Sequence, residues 1–248
     1  MDKHSIICDL DNTFLDIKAI KLGLFQSLAN NNPDIVNNIA PVYEQVRKPF
    51  FSLTKFKEVL EQRFGIEPKF VSSLFKTFPY YKYLFPDALA TLTDCQNIGT
   101  VYIYTKGDPE VQRPKVESLD LPIFPKGIVP TITLNNETDL SRVEAVNQLL
   151  IEPHKPELFL PLINHLQQKS PEQKFHYIED NLNTIGEVIK YKLPNLNVYW
   201  LNRDKKDETA KLDLIDNQSL RIVHSLQEFR DNLKPLIEGA RANPEQKG

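Results

Sequence analysis

The sequence predicts an α/β chain, a parallel sheet interrupted near its start by an all-helical insert. Three observations predict it. Short runs rich in β-branched and aromatic residues recur after residue 100, from Thr100-Val101-Tyr102-Ile103-Tyr104 to Arg221-Ile222-Val223. Segments of helical periodicity separate most of these runs, the order that right-handed βαβ units require. Between the first apolar run and the second lies a stretch, residues 15–82, whose apolar residues recur only at helical spacing.

Taken in order, Ser5-Ile6-Ile7-Cys8 reads as a buried strand feeding the acidic loop Asp9-Leu10-Asp11. Within the insert, Ile17, Ile20, Leu24 and Leu28 mark one helix. Phe56, Val59, Leu60 and Phe64 mark another. Asn30-Asn31-Asn32-Pro33 and Gly65-Ile66-Glu67-Pro68 punctuate them. Asp87 to Asn97 is expected as a helix and Thr100 to Tyr104 as the second strand. Ile128 to Leu134 is expected as the third strand, Phe175 to Ile178 as the fourth, Val198 to Leu201 as the fifth and Arg221 to Val223 as a short sixth. Helices are expected at 109–118, 138–151, 156–168, 182–191 and 225–237. The domain reading is therefore a core of residues 1–14 and 83–236, a helical insert of 15–82, and a polar, disordered tail of 237–248.

Composition bounds the function. The chain has 248 residues, 41% hydrophobic and 25% charged, enough for a core plus an inserted module. A net charge of −3 without a basic cluster argues against nucleic acid as a partner. No apolar run reaches the roughly 18 residues of a membrane span, and the N-terminus has no signal-peptide pattern. With only Cys8 and Cys95, neither a disulfide framework nor a zinc cluster is expected, and the expected location is cytoplasmic. Cys8, inside an apolar run, reads as a core residue. The histidines at 4, 154, 165, 176 and 224 show no paired metal spacing. The eight glycines form no nucleotide loop, and no Gly-x-Ser-x-Gly elbow occurs.

In open α/β sheets, ligands bind beyond the carboxyl ends of the strands. There the sequence places Asp9 and Asp11 after strand one, Thr105 after strand two, and Glu179 and Asp180 after strand four. Three strand ends thus deliver three polar clusters to one edge.

Ile6-Ile7-Cys8-Asp9-Leu10-Asp11-Asn12-Thr13 resembles the first motif of the haloacid dehalogenase-like superfamily, an apolar strand followed by Asp-x-Asp-x-Thr. Tyr104-Thr105-Lys106-Gly107-Asp108 resembles the second motif, and Ile178-Glu179-Asp180-Asn181 the acidic pair of the fourth. Lys155-Pro156-Glu157-Leu158-Phe159 resembles the Lys-Pro segment that carries the third-motif cation. Arg142 is its rival and Lys126 a distant third. The motifs occur in order over nearly the whole chain.

The resemblance implies a Rossmann-like core with an inserted all-helical C1 cap. It implies Asp9 as a nucleophile that forms an aspartyl-phosphate, and Asp11 as general acid and base. Thr105, Lys106 and Lys155 would hold the phosphoryl group. Mg²⁺ would sit on the Asp9 carboxylate, the Asp11 backbone carbonyl, Glu179 and Asp180. The superfamily's dehalogenases lack an aspartate at the position of Asp11, so a phosphatase acting on a small phosphorylated metabolite is expected. A phosphomutase or a non-enzymatic binding protein of the same fold is the alternative. The expected assembly is a monomer or homodimer.

Residues 14–85 hold ten Lys or Arg against six Asp or Glu, a net +4 that would attract an anionic substrate, or merely solvate a helical surface. Phe78, Tyr80, Tyr81, Tyr83 and Phe85 crowd the return to the core, where they either pack or line a pocket.

Overall fold

The computed structural model of the chain describes residues 4–30, 33–48, 51–121, 123–124, 129–134, 140–144, 146–152, 158–205 and 220–242. Seven strands form one sheet: β1 (His4–Cys8), β2 (Thr100–Lys106), β3 (Thr131–Thr133), β4 (Gln148–Glu152), β5 (Lys174–Glu179), β6 (Leu196–Leu201) and β7 (Leu220–Val223). Their order is β3-β4-β2-β1-β5-β6-β7, and every pairing is parallel. Parallel strands need crossover connections, and the helices among them cover both faces of the sheet, which explains why the strands read as nearly continuous apolar runs.

Alternation along each strand splits the core in two. Ile6, Cys8, Val101, Ile103 and Ile178 pack on one face with α5 (Ala88–Ile98), α6 (Pro109–Glu117) and the last helix, α9 (Leu226–Ala242). Ile7, Tyr102, Tyr104, Tyr177 and Trp200 pack on the other with α7 (Phe159–Lys169) and α8 (Leu182–Ile189). Each large apolar side chain fully buried here contributes about 1.5–3 kcal/mol.

The insert is helical as expected: α1 (Ile17–Leu28), α2 (Pro33–Val46), α3 (Leu53–Phe64) and α4 (Pro68–Thr77). Asp16 caps α1 by accepting from the Ala19 amide at 3.0 Å. Gly65 ends α3 in the left-handed region at φ 67°. The two chain segments joining the insert to the sheet run side by side. The Asp16 amide donates to the Tyr83 carbonyl at 2.9 Å, and the Phe85 amide to the Phe14 carbonyl at 2.9 Å. Leu24, Val42, Phe56 and Phe75 of the insert belong to the same buried cluster as Ile6 and Ile103, and α4 packs against α6.

Three expectations are corrected. The helix expected over 138–151 is instead a single 3-10 turn at Leu140–Arg142 followed by β4. Gln148-Leu149-Leu150-Ile151-Glu152 is buried on both faces between β2 and β3, and a short apolar run of this kind carries no periodicity that separates helix from strand. The Asn147 side chain fixes its entry. It accepts from the Val101 amide at 2.8 Å and donates to the Ile123 carbonyl at 2.7 Å. The tail expected from residue 237 is helical as far as Ala242, because Ile237 is a buried core residue of α9; residues 243–248 lie outside the described residues. The third strand is shorter than expected, and Ile128 lies outside the described residues. Cys8 and Cys95 are free and buried, as expected for Cys8. Among the described residues, no helix is long and apolar enough to cross a membrane.

Candidate active site

The register of the sheet assembles the site. Cys8 lies opposite Ile103 of β2 and Ile178 of β5, so the next residue, Asp9, is level with Tyr104 and Glu179. The Asp9 amide donates to the Ile178 carbonyl at 3.0 Å, prolonging the β1–β5 ladder by one bond. The chain then turns tightly. Asn12 takes the left-handed conformation at φ 61°, which asparagine tolerates, and its amide donates to the Leu15 carbonyl at 2.8 Å. That turn brings the Thr13 hydroxyl back to donate to Asp9 Oδ2 at 3.0 Å.

Carboxylate oxygens of Asp9, Glu179 and Asp180 all lie within 4.8 Å of one another. Asp9 is 7% exposed. Burial first, and then the charges of Glu179, Asp180 and Asp11, push its carboxyl well above the usual range, while the Thr13 bond acts the other way. Asp180 is pushed up to about 7, again by burial first and Glu179 next. Glu179 accepts from the Tyr177 hydroxyl at 2.7 Å and the Asn181 amide at 3.0 Å, with the Lys106 ammonium at 4.0 Å. The Lys106 ammonium also donates to Thr184 Oγ1 at 2.8 Å. Thr105, at the end of β2, has its hydroxyl buried and without a hydrogen-bond partner.

Asp11 does not join this cluster. Its two carboxylate oxygens accept from the Lys115 ammonium at 2.9 and 2.8 Å, and Oδ2 also accepts from Gln112 Nε2 at 3.2 Å. Both partners come from α6, one turn apart. Neither stands out in the sequence. The one signal there, a Gln-x-x-Lys spacing on the helix capped by Asp108, is too common to point anywhere by itself. Arg203, after β6, is likewise inconspicuous in the sequence. It donates to the Thr13 carbonyl at 2.9 Å, pairs with Asp87 at 3.5 Å and lies 3.9 Å above the Phe85 ring.

Of the cation candidates, Arg142 is exposed on the 3-10 turn after β3, while Lys155 and Lys126 lie outside the described residues. The aromatic residues at the return to the core mostly pack. The Tyr80 ring is buried and its hydroxyl donates to the Phe75 carbonyl at 2.9 Å, Phe78 stacks on Tyr83, and Tyr81 is exposed.

Chemically, the site offers a buried carboxylate at the end of β1, two further carboxylates within 4.8 Å of it, a buried and unpartnered hydroxyl at the end of β2, and a fourth carboxylate two residues beyond the first. The donor set fits a hard divalent cation. Three carboxylates in this space repel one another, burial makes the repulsion costly, and oxygen ligands at a strand end suit Mg²⁺.

No protein-family model and no curated protein sequence matches the chain. Solved structures do. A haloacid dehalogenase-like hydrolase of Burkholderia xenovorans LB400 superposes with a TM-score of 0.67 at 17% identity, over 96% of this chain and 99% of the other. The HAD-hydrolase YfnB of Bacillus subtilis, in a magnesium-bound form, gives 0.56 at 15% identity over 94% and 99%. The L-2-haloacid dehalogenase of Xanthobacter autotrophicus gives 0.53 at 14% identity over 94% and 99%.

Proposed function

We propose that this chain, which has the haloacid dehalogenase-like fold, is a Mg²⁺-dependent phosphatase that hydrolyses a small phosphorylated metabolite through Asp9. The observation that carries the reading is the buried cluster of Asp9, Glu179 and Asp180 within 4.8 Å, with Asp11 two residues beyond the nucleophile.

In the first half-reaction, Asp9 attacks phosphorus, the bond from phosphorus to the ester oxygen breaks, and Asp11 gives its proton to the departing oxygen. In the second, water attacks the phosphorus of the aspartyl-phosphate and Asp11 takes its proton. The bond from phosphorus to Asp9 breaks, releasing inorganic phosphate. Asp9, Glu179, Asp180 and the Asp11 backbone carbonyl would hold Mg²⁺, which when bound supplies positive charge to the phosphoryl oxygens and to Asp9. The Thr105 hydroxyl, with no protein partner, is free to donate to a phosphoryl oxygen. Lys106 offsets the charge of Glu179. Lys155, which stands between β4 and α7 in the sequence and lies outside the described residues, is proposed as the further cation. The helical insert is proposed as a cap that closes over the strand ends and keeps bulk water out.

A dehalogenase is the competing reading, because such enzymes share the fold. Asp11 favours the phosphatase, since displacement of halide needs no proton donor for its leaving group. A panel of phosphorylated metabolites and L-2-haloacids, assayed with and without Mg²⁺, decides between them. Phosphate release that requires both Mg²⁺ and Asp9 is expected; halide release without phosphate release would overturn the proposal.

A further inference from the structure

We propose that Lys115 and Gln112 are positioning residues that hold the Asp11 carboxylate in place for proton transfer, an inference that rests on the roles given above to Asp9 and Asp11. The Lys115 side chain is 7% exposed, against 28% for Asp11. Burying an ammonium costs free energy unless the charge is paired and hydrogen-bonded. Lys115 meets that cost by donating to both oxygens of one carboxylate, at 2.9 and 2.8 Å.

Gln112 adds a second point of contact. Its Nε2 donates to Asp11 Oδ2 at 3.2 Å and to the Lys106 carbonyl at 2.7 Å, which ties the loop after β1 to the end of β2. Room for that amide comes from Gly107, at φ 138°, where a Cβ would lie 2.8 Å from Gln112 Nε2. Gln112 and Lys115 are three residues apart and therefore share one face of α6. The helix is itself fixed at its start. Asp108 accepts from the Glu110 amide at 2.9 Å with one oxygen, and with the other from the Leu53 amide of the insert, also at 2.9 Å.

The chemical use follows from the two half-reactions. One carboxyl group must give a proton and later take one back, at nearly the same point in space. A side chain free to rotate spends part of its time away from that point. Contacts to both oxygens remove that freedom. A purely structural ion pair would also join α6 to the loop, so the experiment must separate the two.

Lys115→Met and Gln112→Leu are assayed on an alkyl phosphate with Mg²⁺, alone and combined with Asp11→Asn, alongside thermal unfolding of each protein. Lys115→Met is expected to lower kcat about 10²-fold with KM within about threefold of wild type, and Lys115→Arg to recover most of the loss. Gln112→Leu is expected to lose about tenfold. Neither substitution should lower activity further in the Asp11→Asn background, because residues acting through one group are not additive. Full kcat in Lys115→Met, or losses that multiply with that of Asp11→Asn, overturns the inference and leaves the proposed function standing. If Lys115→Met does not fold, the Gln112→Leu cycle with Asp11→Asn decides by the same two criteria. Absence of Asp9-dependent phosphate release from the wild-type protein overturns the proposed function and the inference together.

Discussion

Asp9 and Asp11 are two residues apart and live in opposite electrostatic surroundings. Asp9 rests on one hydroxyl, that of Thr13, and faces the carboxylates of Glu179 and Asp180. Asp11 turns towards α6, where an ammonium meets both of its oxygens. The protein neutralises the second aspartate with its own side chain and leaves the first with a surplus of negative charge. The lesson is a division of labour. Charge beside Asp11 is supplied covalently, from a buried lysine. Charge beside Asp9, the proposed nucleophile, is left to something that binds, which is where a divalent cation and a phosphoryl group would meet.

The contrast can be broken most severely at Asp9. Asp9→Asn removes the proposed nucleophile with little change of shape, and turnover should fall on the order of 10⁴-fold or more while the circular dichroism spectrum stays that of wild type. Near-normal turnover in the folded variant rejects Asp9 as the attacking group.

The next effect sharpens the surplus-charge side. Losing one fixed cation from a phosphoryl site typically costs about 10²–10³ in turnover. Lys155→Ala is expected to fall in that range and Arg142→Ala, at an exposed position, to lose under about tenfold. The reverse ordering moves the cation to Arg142; two small effects shift attention to Lys106, which already contacts Glu179.

A third measurement needs no substrate. Asp180 is held near pKa about 7 by burial and by Glu179, so in metal-free protein the folded state keeps a proton that the unfolded chain gives up near its ordinary carboxylate value. This penalty is absent below about pH 4, grows as pH rises, and is complete above about pH 7. Metal-free protein should lose stability over that interval. Mg²⁺ at pH 8 should raise the melting temperature by on the order of 5 °C in wild type, with much less effect in Asp180→Asn. A Mg²⁺ shift of equal size in both proteins would remove Asp180 from the proposed metal site.

The smallest effect is a control at the opposite end of the sheet. His176 is buried, bonded at Nε2 to His4 Nδ1 at 3.1 Å, and lowered to about 3, by burial first and then by the neighbouring His4. Its folded form resists protonation that the unfolded chain accepts, so its contribution is intact above about pH 6.5 and is lost as pH falls towards 3. This slope is opposite in sign to that of Asp180. His176→Gln should flatten the acid limb of the stability curve and leave the response to Mg²⁺ at pH 8 unchanged.

Much of the fold was legible because local rules sufficed. Buried parallel strands show as apolar runs, two of the insert's helices, α1 and α3, carry a clear helical period, and Gly65 punctuates the end of α3. β4 was not legible, since five consecutive buried residues have no period to read and only their neighbours β2 and β3 decide their conformation. The full length of α9 was hidden for a related reason, as burial of Ile237 outweighs the polar character of the residues around it.

The sequence by itself determined that Asp9, Asp11, Glu179 and Asp180 stand at the carboxyl ends of strands, the edge where ligands bind in open parallel sheets. The pairing of β1 with β5 then decides that Asp9, Glu179 and Asp180 meet. Only the tertiary structure decided what those groups feel. The approach of α6 to the loop after β1 gives Asp11 its lysine, and burial without a matching cation gives Asp9 and Asp180 their raised pKa values. Charges interact through space and solvent exposure, and a spacing of 104 residues between Asp11 and Lys115 holds no trace of the 2.8 Å that separates them.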